Sequence, residues 1–143
     1  MFNPTRDQVR AFFCEIWRKY RVGEPLAGLE STALAVVLQH PEYQPVLADP
    51  ARYADREWTP EEGAVNPFLH LSMHLALEEQ RSIDQPPGIA PLLAQLSARH
   101  GDAHAGAHAA MECLGEVLWR AEQSRSAPDA AAYLECLRRA ASR

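Results

Sequence analysis

Apolar side chains recur at three- and four-residue intervals through most of this 143-residue chain, and nowhere do they alternate as a half-buried strand requires. That periodicity confines the chain to an all-α fold. Val9, Phe12, Phe13, Ile16, Trp17 and Tyr20 mark a first helix ending near Arg21, with Asn3 as its N-cap, Pro4 at its first position and Tyr20 in its core face. A second helix is expected over 26–39, stopped by Pro41. Pro41, Pro45, Pro50, Pro60 and Gly63 make 40–65 read as a loop, tethered by Tyr43, Val46, Leu47, Tyr53 and Trp58. Asn66-Pro67 repeats the first start signal and opens a third helix to about Ile83. After the turn Gln85-Pro86-Pro87-Gly88, helices are expected over 89–99 and from an Asp102 cap to about Gln123, and Ser126-Ala127-Pro128-Asp129 starts the last one. Helices joined by short turns pack side by side. The expected architecture is a compact helical bundle, a four-helix core with one or two short accessory helices, forming a single domain over 1–143.

Composition narrows the function classes. With 47% hydrophobic residues the chain has enough apolar surface for one core. A net charge of −5 provides no basic face, so nucleic acid is not an expected partner. The apolar runs fall far short of the roughly 20 residues that span a bilayer, so no membrane association is expected. Cys14, Cys113 and Cys136 are odd in number and scattered, without a CxxC pair. That pattern predicts free thiols in a reducing compartment; with no secretory leader at Met1, it points to the cytoplasm. A small-molecule or protein partner is not specified, and a homodimer stays open.

Two helices carry the same polar signature. His70, His74 and Glu78 stand four residues apart, as do His104, His108 and Glu112. At about 100° per residue each set is a stripe roughly 80° wide. Leu69, Met73 and Leu77 flank the first stripe on one side, Leu71 and Leu75 on the other. Ala107, Met111, Leu114 and Leu118 centre the apolar arc beside the second, and small residues around its histidines leave room for a neighbouring helix or a bound group. Six histidines would yield on the order of a quarter of one such i,i+4 pair by chance; three occur, His70/His74, His100/His104 and His104/His108.

Two readings fit these stripes. Imidazoles on consecutive turns converge on one cation, and two facing helices would supply His70, His74, His104 and His108, with Glu78 and Glu112 as ligands or supporting acceptors. The ion would be divalent iron, zinc or manganese, serving metal-dependent hydrolysis or redox and oxygen chemistry. The other reading is a non-catalytic structural or interaction bundle with a closed histidine–carboxylate network and no metal. His40, His100 and Glu30 are further candidates on either reading, with His100 also suited to a helix C-terminus.

Phe2-Asn3-Pro4 with Trp17-Arg18-Lys19-Tyr20, His40-Pro41-Glu42-Tyr43, residues 66–74 (NPFLHLSMH) and Gln85-Pro86-Pro87-Gly88-Ile89 together resemble a family of short bacterial proteins described only as a domain of unknown function. That resemblance implies a stand-alone domain of about 140 residues and no particular activity. The two stripes alone also resemble hemerythrin-like and DinB-like metal-binding bundles, which use His-x3-His or His-x3-Glu pairs. The first helices carry too few histidines for the hemerythrin pattern, and the DinB-like pattern needs His40 as its upstream histidine.

Overall fold

The computed structural model describes residues 5–59 and 66–142. Among them are eight α-helices, one 3-10 turn and no strand. The chain divides into two compact units, Met1–Leu75 and Ala76–Arg143, and the fifth helix runs through the division.

In the first unit, α1 covers Arg6–Val22, so it starts later than the Asn3-Pro4 signal, which lies outside the described residues. Thr5 is the cap instead. Its hydroxyl accepts from the Gln8 N–H at 3.1 Å while the Gln8 side chain accepts from the Thr5 N–H at 2.9 Å, satisfying two orphan donors reciprocally. Gly23, at φ 79°, turns the chain out of the helix. The second helix, α2, is Leu29–Leu38.

The segment expected as a loop is largely helical. It contains a 3-10 turn at Pro41–Tyr43, α3 at Gln44–Leu47 and α4 at Pro50–Tyr53. Each of the three has a proline in its first two positions, where no backbone N–H is needed. Residues that read as breakers therefore act as starters; Pro60 and Gly63 lie outside the described residues.

Phe13 and Ile16 of α1 meet Ala33, Val36 and Val37 of α2, Leu47 of α3, and Phe68, Leu71 and Leu75 at the start of α5 (Pro67–Ile83), in one buried cluster. Arg10 is buried beside it. One guanidinium nitrogen donates at 2.9 Å to the carbonyls of both Tyr53 and Ala54, and the group lies 5.2 Å from the ring centres of Trp58 and Phe68. This cation closes the end of α4 and ties residues 53–58 to α1. Tyr20, by contrast, is 46% exposed, stacked on Trp17 instead of buried in the core.

The second unit holds the rest of α5 with α6 (Ile89–His100), α7 (Ala103–Ser124) and α8 (Ala130–Ser142). Leu77, Ile89, Leu92, Leu93, Leu96, Met111, Leu114, Val117 and Leu137 are buried here. Leu118, placed by periodicity in the apolar arc of α7, is 42% exposed, while its neighbour Val117 is buried. Gly106 lets α7 approach α6 closely: a Cβ there would lie 2.7 Å from the backbone N and Cα of Ser97. Buried Tyr133 of α8 donates to the Gln80 side chain at 2.7 Å, and burial raises its phenol pKa.

Cys113 and Cys136 form a disulfide between α7 and α8, with Cα atoms 5.8 Å apart. This overturns the expectation of three free thiols; only Cys14 is free, half-buried, with its thiol pKa raised by that burial. Linear spacing hid the pair because 23 residues separate the cysteines. The thiol argument for a reducing compartment goes with it. No helix among the described residues is long and apolar enough to cross a membrane.

Asp84, at φ 50°, aims its carboxylate at the start of α6, accepting from the N–H groups of Gly88 and Ala90. Those two donors hold its pKa below the ordinary 3.8. A depressed folded value means stability that is present above the unfolded pKa and lost as pH falls through the folded one. Asp84→Ala is therefore expected to lower Tm at pH 7 and to narrow the gap from wild type as pH falls below about 4. A constant gap from pH 7 to pH 2, in melts followed by circular dichroism, would contradict it.

Candidate metal centre

The histidine group of the first unit is built around His40, which follows α2 and is 1% exposed. Its Nδ1 lies 2.8 Å from the Val36 carbonyl oxygen, one helical turn back. A carbonyl only accepts, so Nδ1 carries the proton, and in the neutral ring the lone pair is on Nε2. His70 on α5 brings its Nε2 to 3.1 Å from that atom and, with His40 accepting, is the donor. His74, one turn further along α5, is equally buried and stands edge-to-face to His40, ring centres 5.3 Å apart. Tyr43 stacks flat on the His40 ring at 5.4 Å, fixing its plane. His40 and His74 each offer a nitrogen within 4.8 Å of the other's.

In the second unit, His104 and His108 are part-buried on consecutive turns of α7. Their ring centres are 4.1 Å apart, and they too offer nitrogens within 4.8 Å of each other. Asp102 caps the helix through the Ala105 N–H, so the pair sits just inside a fixed helix start.

The two stripe carboxylates differ from the histidines. Glu78 accepts from Arg81 on its own helix, at 2.5 Å. Glu112 is exposed and lines a cleft of about 400 Å³ with Arg99 and His100. Glu30 pairs with Lys19 at 2.8 Å, which lowers its carboxyl pKa. The central part played by His40 and the stacking of Tyr43 were the less visible features. Linear spacing carried no signal for them: α2 ends at Leu38, the His40 backbone N–H bonds the Val37 carbonyl, and its ring thereby reaches the Val36 carbonyl.

Fold and histidines together define an all-α protein with a buried imidazole group that could hold a metal ion. The chain belongs to the family described as Domain of unknown function (DUF1841), whose pattern matches residues 5–139. No curated protein and no solved structure matches it, so the hemerythrin-like and DinB-like resemblance has no relative behind it.

Proposed function

We propose that the protein binds a divalent metal ion through imidazole nitrogens, with His40 and His74 of the first unit as ligands. The observation that carries this reading is the state of His40: buried, its Nδ1–H held by the Val36 carbonyl, its Nε2 lone pair turned toward other imidazoles. A ligand histidine is oriented in this way when its other nitrogen is held by a carbonyl. Neutral imidazole nitrogens suit zinc first, then copper, nickel or iron. Manganese, which prefers oxygen, is disfavoured because Glu78 pairs with Arg81 and Glu112 is exposed. Hydrolysis or oxygen chemistry would need an additional open position at the ion for water or substrate.

The direct His70–His40 hydrogen bond favours a second reading, a closed imidazole network without metal. Metal content of tag-free protein separates the two. On the first reading, protein loaded with zinc and desalted retains about one equivalent by mass spectrometry and loses several degrees of Tm to a chelator. Protein that stays metal-free after loading and melts identically with and without chelator would leave only the network.

A further inference from the structure

We infer that the Cys113–Cys136 disulfide is a thiol-exchange site for low-molecular-weight thiols, with Cys136 as the sulfur that is attacked. Cys113 is 4% exposed on α7, whereas Cys136 on α8 is part-exposed. Both cysteines line the cleft of about 400 Å³, and Cys136 also borders another of about 280 Å³ that Cys113 does not reach. An incoming thiolate therefore has an approach to Cys136. Arg99, His100, Glu112 and Glu116 line the larger cleft, so its walls are polar and of mixed charge.

The exchange is a two-electron reduction. A small-molecule thiolate attacks Sγ of Cys136; the Cys113–Cys136 bond breaks, a mixed disulfide forms on Cys136, and Cys113 leaves as a thiolate that takes a proton from water. A second small thiol attacks the small-molecule sulfur, releasing Cys136 as thiol and the symmetrical small-molecule disulfide. That disulfide, run backwards, re-oxidises the pair. The structural target is α8, whose buried anchors are few: Tyr133 and Leu137, with the disulfide as its covalent tie to α7.

The test uses full-length protein carrying Cys14→Ser, with reduced and oxidised glutathione as the probe. Reduced glutathione without denaturant is expected to open the disulfide and speed amide exchange in 130–142 by about tenfold, with α1 and α2 unchanged. With oxidised glutathione, Cys136 in a Cys113→Ser variant is expected to form the mixed disulfide about ten times faster than Cys113 in a Cys136→Ser variant. Equal rates in the two variants, a disulfide reducible only in denaturant, or two alkylatable thiols in air-oxidised protein would each overturn the inference.

Discussion

Gly106→Ala is expected to destabilise the protein by about 2 kcal/mol, even though alanine is the better helix former by about 1 kcal/mol. The two effects oppose each other, so the sign of the result is informative. Gly106 is buried in α7, where a methyl group would meet the Ser97 backbone at 2.7 Å, well inside van der Waals contact. Backbone cannot swing aside as a flexible side chain can. The helices must separate, and overpacking of this kind typically costs about 1–3 kcal/mol. Separation also loosens contacts of Leu93 and Leu96 on α6 and of Ala110 on α7, all buried. Urea denaturation of wild type and variant gives the difference directly, and Gly106→Leu should amplify it. An unchanged or raised midpoint for Gly106→Ala would mean that the close approach of α6 and α7 is not there.

His40→Asn is expected to weaken zinc binding at least about 100-fold, judged against the roughly 10–100-fold typical when only a ligand's supporting partner is lost. Asparagine places an amide N–H close to the position of Nδ1, so the bond to the Val36 carbonyl can persist. What disappears is Nε2. A fold retained with the ion lost would tie binding to that nitrogen. His70→Ala is the matching control: His70 occupies the His40 lone pair in this structure, and its removal should leave affinity equal or higher. Competition titrations against a chromophoric chelator measure both. Loss of affinity in His70→Ala with none in His40→Asn would reverse the assignment.

Much of the fold was legible because helical periodicity depends on local residues. Asn66, Asp102 and Gly23 act as caps or stops where expected, Asn66 accepting from the Phe68 and Leu69 N–H groups. Errors came where two segments meet. Proline at 45 and 50 breaks a helix or begins one according to its surroundings, and only packing of Leu47 decides that α3 exists. Tyr20 lies at the centre of an amphipathic face near the exposed end of α1, which periodicity does not distinguish from the buried middle. The histidine spacing identified four imidazoles on α5 and α7, but the hydrogen bond that sets the tautomer of His40 belongs to α2 and its exit. The cysteine pair was invisible for the same reason: contact across helices leaves no mark in linear spacing.

The division between Leu75 and Ala76 falls in mid-helix, not in a linker. Any attempt to express the halves separately must choose an owner for α5. Cutting at the division would strand buried Leu75 and Leu77 on fresh, fraying ends. A useful dissection would instead give each fragment its own copy of residues 67–83.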